Sequence, residues 1–154
     1  MSIKRLEILE KNLENLYSEV SLLNEGDINK AHLSRYLCVR TSGYLESVIR
    51  HLIVNFCDGT SPQQIENYLT TRTKYITNLE YSKIIKLLSE FSLDWKTEFE
   101  NRVTDEQRSS LNSVVSNRNN IAHGNSDSIT YRNMKDYYVD IKEVTQILKD
   151  IIKK

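Results

Sequence analysis

Arg118 and His123 are the two side chains of this sequence best equipped for chemistry, and they stand together in Arg118-Asn119-Asn120-Ile121-Ala122-His123-Gly124. Around them, from Ser109 to Ser126, Arg118 is the only permanently charged side chain, although 27% of the whole chain is charged. A charge-poor, amide-rich face with one arginine and one histidine suits a cleft or a subunit interface, where each polar group meets a specific partner. Histidine can accept and donate a proton near neutrality. Arginine offers a permanent planar fork for phosphate oxygens and for the charge that develops in a phosphoryl transition state. Without a metal, the pair suits RNA cleavage: the histidine assists the ribose 2′-hydroxyl in attacking its own phosphate, and the arginine steadies the charge. DNA, lacking that hydroxyl, would be inert. The plainer alternative is a helix end with an arginine cap and a surface histidine, and the spacing by itself favours it, since nine arginines and three histidines occur in 154 residues.

The elements that must position this pair are helices. Apolar residues recur at three- and four-residue intervals nearly throughout, with one proline and four glycines, which predicts an all-α single domain over residues 1–154. A first amphipathic helix is expected over 3–23, on Leu6, Leu9, Leu13, Leu16, Val20 and Leu23. Asp27 caps a long second helix running to Phe56, apolar on two sides and therefore central: Leu33, Tyr36, Leu37, Tyr44, Val48, Leu52 and Phe56 on one, Val39, Gly43, Ile49 and Ile53 on the other. Glu46 falls within the second stripe and needs a partner, for which an arginine is the obvious kind. Three capping-box patterns follow, at Ser61-Pro62-Gln63-Gln64, Thr77-Asn78-Leu79-Glu80 and Thr104-Asp105-Glu106-Gln107. Between the last two, Ser92 restarts the chain as a short helix carrying Trp95 and Phe99 into the core.

The third box opens the helix that ends in the motif. Arg118 falls on its inward stripe with Leu111, Val114, Val115, Ile121 and Ala122. Asn119 stands one turn below His123 and is placed to orient it, and Gly124 is placed to end the helix. A polar loop, Asn125 to Ser128, leads to a last helix over about Thr130 to Ile152. Five residues of helix turn by about 500°, which leaves Arg118 and His123 about 140° and about 7.5 Å apart. They grip one atom only if the helix breaks near His123 or a second copy completes the site across a two-fold axis.

Composition excludes several function classes. Twenty-one basic and twenty-one acidic residues cancel, so any nucleic-acid binding must be local. Cys38 and Cys57 read as reduced core thiols, with a disulfide as the alternative, and are too few for a metal cluster. The N-terminus carries charges where a signal peptide needs an apolar run, and no stretch approaches a membrane span, so a soluble cytoplasmic protein without metal or other cofactor is expected.

The motif from Arg118 to Gly124 resembles the Arg-x4-6-His signature of HEPN domains, in the form with asparagine directly after the arginine. Tyr36-Leu37-Cys38-Val39-Arg40 with Ser42-Gly43-Tyr44-Leu45-Glu46 resembles the long helix of the RiboL-PSP type, and Phe91-x3-Trp95 and Tyr137-Tyr138 fit the same pattern, so the resemblance covers roughly residues 30 to 150. It implies an all-α bundle acting as a metal-independent endoribonuclease, with a site composed from two motifs in a homodimer, often in a toxin, phage-defence or stress system. The alternative within the family is an inactive domain that serves as a dimerising or binding module. Carried over, His123 is the general acid/base and Arg118 the phosphate contact, both catalytic, with Asn119 and Asn120 supporting. Glu46 is a supporting carboxylate for Arg118, on the strength of its stripe more than of the family, while Arg40 and Tyr44 are candidate RNA contacts, with Tyr138 a second candidate beside Tyr44 for stacking on bases. His32 and His51 are expected as surface or helix-face histidines. RNA is the implied substrate, and an antitoxin or other regulator a possible partner. HEPN toxins silenced by a nucleotidyltransferase antitoxin often have tyrosine two residues after the histidine; Asn125 stands there, so that mode of control is not expected.

Overall fold

In the computed structural model, which describes residues 3–153, the chain forms seven helices and, among those residues, no strand. They are α1 (Ile3–Ser21), α2 (Ile28–Cys57), α3 (Gln63–Thr73), α4 (Tyr81–Phe91), α5 (Leu93–Arg102), α6 (Asp105–Ala122) and α7 (Tyr131–Ile151). The single domain expected over 1–154 therefore has residues 1, 2 and 154 outside the described part.

The 30-residue α2 is the spine, packing against α1, α3, α6 and α7. Its Asp27 cap accepts from the Asn29 amide at 2.8 Å. Leu37, Tyr44, Leu45, Val48, Ile49 and Ile53 are buried along it. The expected double-sided burial holds only for its C-terminal half. In the other half Tyr36 is 46% exposed and Val39 37%, and nothing beyond the helix's own neighbouring backbone lies within 4 Å of where a Cβ on Gly43 would stand. This flank is open because, among the described residues, no helix crosses it.

The core is closed by α1 and α7. Tyr17, outside the apolar stripe read from the sequence, is a hub: its hydroxyl meets Thr41 Oγ1 at 2.7 Å and its ring stacks on Tyr138 with centroids 4.6 Å apart. Phe99 is fully buried, while Trp95 is half-buried between Phe56 and Phe91. Against expectation His51 is buried, at 5% exposure, whereas His32 is exposed.

Only one of the three boxes forms. At α6, Thr104 Oγ1 accepts from the Gln107 amide at 3.1 Å and Gln107 Oε1 from the Thr104 amide at 3.0 Å. At α3 the cap position falls on Pro62 rather than Ser61, with no side-chain cap. At α4 the Thr77–Glu80 box is replaced by a bond from another helix: Asn112 Oδ1 of α6 accepts from the Tyr81 amide at 2.9 Å. An acceptor on a neighbouring helix satisfies an orphan amide as well as a local one. Helix α1 ends two residues before the expected Leu23, where the amides of Leu22 and Leu23 turn back to Glu19 and Val20 at 3.2 Å each.

Candidate active site

Helix α6 is held on three sides before it reaches the motif. Cys38 Sγ of α2 donates to the Val114 carbonyl at 3.4 Å, and burial pushes this thiol up to about 12, which keeps it protonated and inert. Gln107 Nε2 and Ser110 Oγ donate to Glu143 and Asp140 of α7. Buried Asn117, one residue before the arginine, donates to the Ser113 carbonyl and accepts from the Ser128 amide at 3.1 Å, stitching the loop after the motif to the helix.

The end of α6 is a Schellman motif. His123 is the cap residue, Gly124 adopts φ +70°, its amide bonds the Ile121 carbonyl at 3.2 Å, and the Asn125 amide bonds the Asn120 carbonyl at 2.8 Å. His123 keeps φ −96°, ψ 5°, so the chain leaves the helix after it rather than before it. The helical arithmetic therefore stands within one chain: His123 lies on the exposed side and Arg118 on the inner side.

Half-buried Arg118 is held in a way the sequence did not suggest. Its Nη1 donates to Asn78 Oδ1 at 3.2 Å and to Asn119 Oδ1 at 3.3 Å. No carboxylate pairs with it among the described residues. Glu46, expected on Arg118, instead accepts from the Asn78 backbone amide at 3.1 Å. The two meet through Asn78, because the loop before α4 lies between α2 and the arginine. Asn119 likewise differs from expectation: its side-chain oxygen serves Arg118, and only its backbone carbonyl serves His123, through the His123 amide at 3.1 Å. Asn120 gives its carbonyl to the helix end and its side chain to the wall of a groove.

The two candidate RNA contacts fare differently. Tyr44 is 1% exposed, its hydroxyl donating to Glu10 Oε2 at 2.8 Å, so it is core and cannot stack on a base; Tyr138, buried against Tyr17 and bonded to Glu14, is excluded likewise. Arg40 stays accessible but does not touch Glu46; it donates to the Tyr36 hydroxyl at 2.9 Å and lies over that ring.

Two concavities flank the motif. One of about 780 Å³ runs along the outer face of α6 past Ser109, Asn112, Ser116 and Asn120. A smaller one, about 470 Å³, lies between Arg35, Ile121 and the loop Gly124–Asp127. Asp127 separates them, fixed by Arg35 Nε at 2.9 Å, so the loop is anchored to α2 as well as to Asn117. Neither is lined by Arg118, which faces the opposite side of α6, and the larger groove, which also carries Asp105, Arg108 and Asp127, is therefore not by itself the reaction site. Among the described residues no three His, Cys, Asp or Glu side chains cluster to hold a metal ion, and no helix is long and apolar enough to cross a membrane.

Asn78 is the residue that sequence reasoning missed. It read as the interior of a capping box, yet it is the one described non-glycine residue with positive φ, at 53°, and asparagine is the side chain most at home there after glycine.

Comparison with known proteins places a family model described as RiboL-PSP-HEPN over residues 3–154, so the match takes in the N-terminal helix as well as the 30–150 region. No significant match to a curated protein or to a solved structure was found.

Proposed function

The chain belongs to the RiboL-PSP-HEPN family, and from that premise we propose that it is a metal-independent endoribonuclease. HEPN domains are typically RNases, and the reading is carried by the state of Arg118. Two neutral amide oxygens hold its Nη1, which leaves its charge uncompensated and its remaining N–H groups available. An arginine paired to a carboxylate would have spent that charge; one held by amides presents it to a phosphate. His123 stands exposed at the end of the same helix.

In the proposed reaction His123 takes the proton of a ribose 2′-hydroxyl, the oxygen attacks the adjacent phosphorus, and the bond to the 5′-oxygen breaks. A second proton donor protonates the leaving oxygen, and the product is a 2′,3′-cyclic phosphate. Arg118 steadies the pentavalent charge. Since the two side chains lie on opposite sides of α6, the site is completed by a second copy, whose His123 supplies the second donor. The open flank of α2 at Tyr36, Val39 and Gly43, beside Glu46, supports such a partner, because a long central helix left uncovered there has apolar surface to bury. A role in a toxin, phage-defence or stress system, with a regulatory partner, fits an RNase of this kind.

The test is incubation of the full chain with single-stranded RNA in EDTA beside His123→Ala and Arg118→Ala. Cleavage that His123→Ala abolishes and Arg118→Ala lowers to a residual rate is expected. Cleavage that requires a divalent cation, or that survives without His123, overturns this mechanism, and a wild-type chain that does not cleave RNA favours a binding module.

A further inference from the structure

We infer that Asn78 is the positioning residue of Arg118, and that Glu46 acts on the arginine only through it. The inference rests on the RNase reading above for its functional consequence, and on geometry for the clamp itself.

Asn78 belongs to none of the helices, yet the segment around it is fastened at three points. Glu46 Oε1 holds its amide at 3.1 Å, Leu79 beside it is buried at 3% exposure, and Asn112 of α6 holds the Tyr81 amide at 2.9 Å. With both flanks fixed, the backbone at Asn78 is driven to φ 53°, a region a non-glycine residue enters when its surroundings over-determine it. From that backbone the side chain reaches α6, and Oδ1 meets Arg118 Nη1 at 3.2 Å.

The result is a relay of one carboxylate, one peptide amide, one side-chain amide and one guanidinium. The carboxylate ends on a backbone N–H and leaves the arginine's charge intact. Without Oδ1 the guanidinium keeps only its neighbour on the same helix, Asn119, at 3.3 Å, which leaves its direction to the long side chain's own torsions. A misplacement on the order of 1 Å at a transition-state contact lowers the rate about a hundredfold.

Asn78→Gly separates this role from folding, because glycine takes the left-handed backbone freely and removes the side chain that carries the oxygen. In the EDTA assay kcat is expected to fall about 10- to 100-fold, with the thermal midpoint unchanged within a few degrees. In an Arg118→Ala background the same change should cost nothing more, since the group it positions is gone. Glu46→Ala should lower kcat as Asn78→Gly does, and Glu46→Gln, which keeps the acceptor oxygen, should restore most of it. A second readout needs no RNA: in the NMR spectrum of the arginine side chains, the Arg118 guanidinium signal should shift and broaden in Asn78→Gly while the other eight arginines stay in place. Losses that add in the double variant, or an unmoved Arg118 signal, overturn the clamp. A wild-type chain that does not cleave RNA overturns the proposed function, and the NMR result then decides the clamp by itself.

Discussion

At the scale of single residues, the proposed site separates into the residue assigned to react and those that shape the helix end. His123 is exposed and bonded to the protein only through its backbone, so His123→Ala is expected to remove cleavage and to change stability by less than about 0.5 kcal/mol, checked by activity and urea melts on one preparation. Loss of fold in that variant would contradict the assignment. Gly124 is the opposite case. Its φ of +70° closes the Schellman turn, and Gly124→Ala is expected to cost about 1–2 kcal/mol in the same melts. Both residues were legible from the sequence, because a glycine after a helical run and a histidine before it are local signals. Asn78 was not, because its importance comes from Glu46 and Arg118, 32 and 40 residues away in the chain. The one hint was chemical: asparagine tolerates the left-handed region.

At the scale of elements, α6 is the best-determined helix and its start the clearest sequence feature. Thr104→Ala breaks the only reciprocal box among the described residues and should cost about 1 kcal/mol by denaturant titration, with an unchanged denaturant slope. No effect would mean the helix start is held by packing alone. Helices α2, α5 and α7 were legible for the same reason as α6: Asp27, Ser92 and Thr130 each cap through the side chain. The α4 box failed because pattern reading sees only local acceptors, and Asn112 reaches Tyr81 from another helix. The stripe from Val39 to Ile53 was legible as apolar, yet apolarity does not say whether this chain or another covers it.

At the scale of the whole molecule, α1, α2 and α7 share a polar network that no local pattern announces. Glu10 takes Tyr44 from α2 and Lys142 from α7, and Glu14 takes Tyr138 and Lys142. Burial opposes the charge on Glu10, but the hydrogen bonds from Lys142 and Tyr44 prevail and hold its carboxyl below the ordinary value of 4.5. Lys142, bonded to Glu14, is held above its ordinary 10.5. The linkage follows: Glu10 contributes stability that is present above pH 4.5 and lost as pH falls through its lowered value, while the Lys142 contribution is present below pH 10.5 and lost as pH rises past it. Glu10→Gln should therefore lower the thermal midpoint near neutrality and lose less than wild type as the pH drops below 4.5; equal losses in both would contradict the network.

On the proposed reading, function at this scale turns on a second copy, since one α6 presents Arg118 and His123 to different sides. Sedimentation should find a dimer that Val39→Asp on the open α2 flank dissociates, with cleavage lost in parallel. The central claim is the 2′-hydroxyl attack itself, and the most direct measurement is mass spectrometry of the ends left on a defined RNA oligonucleotide cut in EDTA. A 2′,3′-cyclic phosphate on the upstream fragment, absent with His123→Ala and absent when the ribose at the cut carries 2′-deoxy, is the predicted result. A 3′-hydroxyl with a 5′-phosphate, or cutting that continues at the 2′-deoxy position, would contradict it.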